Sequence, residues 1–97
     1  MMRWPRFLTY GNFGGPGWSG GEFVHEPAMV NWAVPPIDEM DALFKRHDFE
    51  VQNRIPKAHS RLSRDLCEIP VPKELWPKMY RYAAIGIFWA IGKIFNC

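Results

Sequence analysis

Pro36-Ile37-Asp38-Glu39-Met40-Asp41-Ala42-Leu43-Phe44-Lys45-Arg46-His47-Asp48 is the stretch on which the reading of this chain turns. The prolines stop at its start, Asp38 stands where a helix cap belongs, and Asp38, Glu39 and Asp41 complement the positive end of a helix dipole. Carried on to Gln52, the positions Met40, Leu43, Phe44, His47 and Val51 fall on one helical face. The spacing predicts a helix over 36–52. His47 is the odd member of that face, and Asp48 sits on its flank. A histidine so placed is either a core residue satisfied by one hydrogen bond or a working base.

Downstream, Pro56 breaks the chain and a second helix is expected over 57–69, with Ala58, Leu62, Leu66 and Ile69 on one stripe. Pro70 and Pro72 stop it. Asp65, three residues after Leu62 and one before Leu66, falls on the face that packs against the first helix. A buried carboxylate needs a partner, and across an antiparallel pair the imidazole of His47 is the candidate. The alternative is a solvated Asp65 at the helix edge beside Arg61 or Arg64. Residues 73–97 form a third helical segment, aromatic-rich, with Pro77 near its start and Gly86 and Gly92 within it.

Upstream, residues 10–21 hold six of the eight glycines together with Pro16, a composition that excludes helix or strand and reads as a loop. Residues 22–36 read as a packed irregular connection or a short hairpin. The whole, 1–97, is expected to be one small all-α domain: a glycine loop, two antiparallel helices and a C-terminal helical segment.

Composition narrows the function classes. An apolar fraction of 47% against 23% charged residues is that of a folding chain, not a disordered one. Twelve Lys and Arg against ten Asp and Glu leave +2, spread along the chain, so charge lends no support to nucleic-acid binding. Two cysteines, Cys67 and Cys97, are too few for a disulfide scaffold, and Cys67 has no neighbour at zinc-finger spacing. No secretory signal is visible at the N-terminus. The longest apolar stretch, Tyr82 to Gly92, falls short of the about twenty residues that a bilayer span requires.

The glycine loop interleaves Tyr10, Phe13, Pro16 and Trp18, bulky or rigid residues that a flexible linker does not want. No Gly-Lys-Ser/Thr follows it, which excludes a Walker-type phosphate loop, and the dinucleotide pattern lacks its strand and helix. Such a loop can turn several backbone carbonyls toward one point. Hard cations such as calcium take oxygen ligands of that kind, completed by a carboxylate that Asp48 could supply.

Tyr10-Gly11-Asn12-Phe13-Gly14-Gly15-Pro16-Gly17 resembles the calcium loop of the phospholipases A2, Tyr-Gly-Cys-Tyr-Cys-Gly-x-Gly. The stretch from Pro36 to Asp48 is similar to the active-site helix of that family, Pro-x-Asp-x-x-Asp-x-x-x-x-His-Asp. The two elements come in the family's order and cover 21 of the 97 residues. The resemblance implies a calcium ion held by the carbonyls of Phe13, Gly15 and Gly17 and the carboxylate of Asp48. It implies His47 as general base, the Gly15 amide as oxyanion donor, and a carboxylate partner for His47, placed at Asp65 by helix position. Asn12 and Gly14 stand where secreted enzymes carry cysteines, and Val51 stands where they usually have a tyrosine. The cysteine-poor form looks more like the phospholipase-like domains of viral capsid proteins, such as the unique N-terminal region of parvovirus coat proteins.

That resemblance implies calcium-dependent hydrolysis of the sn-2 ester of glycerophospholipids, used to breach membranes by a virus or phage. Its partners would be a phospholipid bilayer surface and other virion proteins, with no nucleic acid. Trp4, Phe7, Trp18, Trp32 and the segment from Tyr82 to Phe95 are candidates for an apolar collar, the last also readable as a core helix closing the back of the domain. Two other classes stand beside this one. A catalytically silent phospholipase-like module would keep loop and helix and lose the metal, and a small membrane-active protein would work through Tyr82–Phe95 without His47.

Overall fold

The computed structural model describes residues 8–15, 18–24 and 30–95. Along these residues run β1 (Trp18–Ser19), β2 (Glu22–Phe23), α1 (Glu39–Gln52), α2 (Ala58–Glu68) and α3 (Leu75–Phe95). α1 starts as its sequence dictates. Asp38 is the N-cap in extended backbone, and its Oδ1 accepts the Asp41 N–H at 2.8 Å. At the other end the Asn53 backbone and side-chain N–H groups both reach the carbonyl of Phe49. Met40, Phe44 and His47 are buried along one stripe, as their spacing predicts.

Val51 departs from that stripe. It is 45% exposed and lines an open cleft with Arg54, Ile55 and His59, whereas Glu50 is buried beside Arg61. The last turn of α1 thus turns its carboxylate, not its valine, toward α2. Two cross-helix ion pairs show the packing direction: Arg46 with Asp65 and Glu50 with Arg61, ascending on α1 while descending on α2. α1 and α2 are antiparallel.

α3 packs along α2 with the same opposed sense. Ser63 Oγ donates to the Ile85 carbonyl at 2.9 Å, and the buried Arg81 donates from Nε to the Leu66 carbonyl at 2.9 Å. Arg81 therefore satisfies a carbonyl at the C-terminus of α2 that has no partner within its own helix. Pro77 is tolerated in the first turn of α3, where its missing N–H costs no hydrogen bond. Tyr10, Phe13, Met40, Phe44, Leu62, Leu66 and Ala84 form the core, with Tyr80, Ile85 and Phe88 packed against it from α3. The inner face of α3 closes the back of the domain. Its outer face leaves Trp76, Met79, Tyr82, Ile87 and Trp89 each 46–60% exposed. Among the described residues no helix is long and apolar enough to cross a membrane.

The glycine region departs from the expectation of a loop without strand. Trp18 pairs with Phe23 and Ser19 with Glu22 in an antiparallel ribbon around Gly20 and Gly21. Those two glycines have φ of 67° and 81°, the left-handed conformation at both central positions that a two-residue hairpin turn demands. Fold class is thus mostly helical with one small two-stranded sheet. Trp18 is buried, its Nε1 donating to the Gly11 carbonyl at 2.9 Å, so it braces the loop and is no part of an exposed collar. Trp32 is half-buried between Phe13 and Phe49. Trp4, Phe7, Gly17 and Cys97 lie outside the described residues.

Candidate functional site

Two carboxylates of α1 and its cap hold the glycine loop in place. Tyr10 and Gly14 exchange backbone hydrogen bonds at 2.7 and 2.9 Å, closing the first turn of the loop, and the Tyr10 hydroxyl donates to Asp38. Asp41 is fully buried and accepts three backbone N–H groups: Asn12 at 3.0 Å, Phe13 at 2.9 Å and Ile37 at 2.9 Å. A Cβ at Gly11 would sit 2.5 Å from Asp41 Cγ, so the loop can approach this carboxylate only with glycine there. In sequence Asp41 reads as a dipole complement at a helix start. In the fold it is also the strap that fastens the loop to α1.

Further along α1, on the buried stripe of Met40 and Phe44, stands His47, 8% exposed. Its Nε2 lies 2.9 Å from His59 Nδ1, on the first turn of α2. Its Nδ1 faces Asp48 Oδ1 at 3.8 Å, beyond a direct hydrogen bond. Phe88 of α3 meets the His47 ring edge-on at 4.8 Å and stacks on the His59 ring at 5.8 Å and 11°. Three helices thereby fix the planes of both imidazoles.

Asp48 is joined to the β1–β2 ribbon, since its Oδ2 accepts the Ser19 hydroxyl at 2.9 Å. Burial pushes the Asp48 carboxyl above its ordinary range, and the contacts with His47 and Ser19 only partly oppose this. Among the described residues no Lys or Arg lies within ion-pair reach of Asp48. Burial is also the main reason that the His59 imidazole is held below its usual value, with repulsion by a charged His47 adding to it. The Tyr80 phenol is pushed up to about 12 by burial and by the negative charges of Asp48 and Asp41. Its hydroxyl donates to the Leu8 carbonyl at 2.7 Å.

Asp65 does not face His47. Its carboxylate is engaged by Arg46 across the helix pair and by Arg64 beside it. Arg46 and His47 are consecutive on α1 and point about 100° apart. A residue of α2 that meets Arg46 is therefore turned away from His47. The partner found for His47 is His59, which the reading of the sequence passed over because it lies beside the apolar stripe of α2, not on it. The available signal was a second histidine one residue after Ala58, on the first turn of α2.

Asp65→Ala is accordingly expected to shift stability by ~1 kcal/mol or less at pH 7, as a solvent-facing ion pair does. Burial acts to raise the Asp65 carboxyl, yet the Arg46 and Arg64 guanidiniums outweigh it and hold the group below the ordinary carboxylate range. A depressed carboxyl stabilises the fold above the unfolded value and loses that contribution as pH falls through the folded one. Urea denaturation of the two proteins should differ at pH 7 and converge below pH ~3. A large loss at neutral pH would return Asp65 to the site.

The oxygen donors expected for calcium are distributed as follows. Gly15 takes φ of 127°, and a Cβ there would lie 2.9 Å from the Leu8 carbonyl, so this position also requires glycine. The Gly15 carbonyl accepts the Trp18 N–H at 3.3 Å. Phe13 is 1% exposed, stacked on Trp32, with its N–H on Asp41. Among the described residues no three His, Cys, Asp or Glu side chains cluster as a metal group. The expected donor set needs only one carboxylate, the rest being backbone oxygens. A partly dehydrated carboxylate tied to the β1–β2 ribbon, with no Lys or Arg in ion-pair reach among the described residues, has the donor chemistry that fits a hard divalent cation. Compared with protein-family models, with curated proteins and with solved structures, the chain finds no match.

Proposed function

We propose that this chain is a calcium-dependent phospholipase A2-like hydrolase that cleaves the sn-2 ester of glycerophospholipids at a membrane surface. The observation that carries the reading is the buried His47, one ring nitrogen bonded to His59 and the other facing the Asp48 carboxylate, which is tied in turn to the ribbon that follows the glycine loop. A base with one nitrogen occupied and the other open is what removal of a proton from water requires.

In this reading His47 takes a proton from water at Nδ1, the resulting hydroxide attacks the ester carbonyl, and the Gly15 amide N–H donates to the oxyanion. The protonated His47 then returns its proton to the departing glycerol oxygen. The products are a fatty acid and a lysophospholipid. Asp48 and the carbonyls of Phe13, Gly15 and Gly17 would hold a calcium ion, which supplies Lewis-acid stabilisation of the same oxyanion and a grip on the substrate phosphate. The outer face of α3 supplies apolar and aromatic contact with lipid, with Lys93 over Trp89 adding positive charge near the ring. Use of that activity by a virus or phage to breach a membrane, among other virion proteins, rests on the resemblance of the two motifs.

The same exposed face favours a second reading, a membrane-active protein working through Tyr82–Phe95 without hydrolysis. One experiment separates the two: fatty-acid release from phospholipid vesicles in calcium, in chelator, and by the Asp48→Asn variant. Release in calcium, its loss in chelator and its loss in Asp48→Asn are expected. Calcium at tenfold its Kd should also raise Tm by roughly 6–11 °C, and Asp48→Asn should erase that shift. Vesicle leakage without fatty-acid release would establish the second reading instead. Equal hydrolysis in chelator would remove calcium from the first.

A further inference from the structure

The separation of 2.9 Å between His47 Nε2 and His59 Nδ1 holds one proton, and two arrangements of it exist. Either His47 donates from Nε2 and its Nδ1 is bare, or His59 donates from Nδ1 and His47 carries its proton on Nδ1. We propose that His59 is the positioning residue of this site, accepting the Nε2 proton of His47 on its own Nδ1 and so holding His47 in the tautomer whose Nδ1 is open. The inference rests on the reading of His47 as a base and deepens it, placing a neutral imidazole where a carboxylate was expected.

Three observations favour that arrangement. In the other one the Nδ1–H of His47 would face Asp48 Oδ1 at 3.8 Å, too far for a hydrogen bond, so no side chain among the described residues would accept that proton. In the proposed arrangement the remaining proton of His59 sits on its Nε2. His59 is only half-buried and lines the open cleft with Val51, Arg54 and Ile55, where water can meet that proton. Apart from Asp48, the carboxylates that bridge α1 and α2 are engaged by guanidiniums, Asp65 by Arg46 and Arg64 and Glu50 by Arg61. Phe88 packs on both rings and keeps them in register for the bond.

Function follows from the difference between an imidazole and a carboxylate. A carboxylate would add a negative charge beneath His47, whereas neutral His59 orients the ring with no added charge. The same burial that lowers the affinity of His59 for a second proton keeps it an acceptor at neutral pH.

The test is ring-nitrogen NMR on the 15N-labelled protein, read beside kinetics. Wild type should show His47 protonated at Nε2 and bare at Nδ1. His59→Asn places an amide oxygen close to where Nδ1 stood, so it should keep that tautomer and a kcat within a few-fold of wild type. His59→Leu offers no acceptor, so it should lose the single tautomer and lower kcat by roughly 10- to 100-fold with KM little changed. A wild-type His47 protonated at Nδ1, or a His59→Leu protein with tautomer and kcat unaltered, would overturn the proposal. The NMR arm needs no substrate and no metal. Absence of calcium-dependent hydrolysis in wild type would thus defeat the functional reading while leaving the bond between the two imidazoles decided on its own.

Discussion

Asp41→Ala is expected to remove most of the stability of this protein. The carboxylate is fully buried and accepts the N–H groups of Asn12, Phe13 and Ile37. Hydrogen bonds to a charged acceptor contribute about 1.5–3 kcal/mol each, and each buried donor left without a partner costs about 1–3 kcal/mol. Even with strong non-additivity the loss should reach about 4 kcal/mol, against a total of ~5 kcal/mol for a domain of this size. Loop and helix would separate together, because the same oxygens hold both. Asp38→Ala is the control: it removes a helix cap and the acceptor of the Tyr10 hydroxyl near the surface, and should cost about 1–2 kcal/mol. Urea denaturation followed by circular dichroism measures both. Equal losses in the two variants would mean that Asp41 caps a helix and does not strap the loop.

His47→Gln carries the largest expected effect on activity, a fall in fatty-acid release of roughly 10²- to 10⁴-fold, the range for loss of a positioned base. Glutamine fills similar volume and can still bond to His59, but its amide neither accepts a proton from water nor returns one. The fold should therefore survive, and with it the rise of Tm on adding calcium, since His47 is not among the expected ligands. Thermal unfolding with and without calcium, beside fatty-acid titration at saturating metal, reads both properties in one preparation. Turnover within tenfold of wild type would place the base elsewhere. Loss of the calcium shift together with activity would instead make His47 part of the metal site.

The helices were legible because what makes them is local. Asp38 caps three residues ahead of the N–H that it accepts, prolines bound the segments, and Met40, Phe44 and His47 share a stripe by virtue of 3.6 residues per turn. The adjacency of His47 and Asp48 is likewise a property of the chain itself. A two-residue turn at Gly20-Gly21 was open to the same kind of reading, since glycine admits the positive φ that both positions take, but the density of glycines around it concealed two short strands.

What the sequence determined by itself, then, is the order and extent of α1, α2 and α3, the glycine loop before them, and the presence of a histidine on a buried face. The tertiary structure alone decided which side chains meet. His47 and His59 are twelve residues apart, Arg46 and Asp65 nineteen, Phe13 and Asp41 twenty-eight, Ser19 and Asp48 twenty-nine. These pairings depend on the rotation and axial register of one helix against another, and a turn of 100° about α1 exchanges Arg46 for His47 as the residue facing Asp65. Periodicity says that a face exists. Only the packing of Leu62, Leu66, Ala84 and Phe88 against α1 says what that face meets, because register is settled by how those side chains fill the space between the helices.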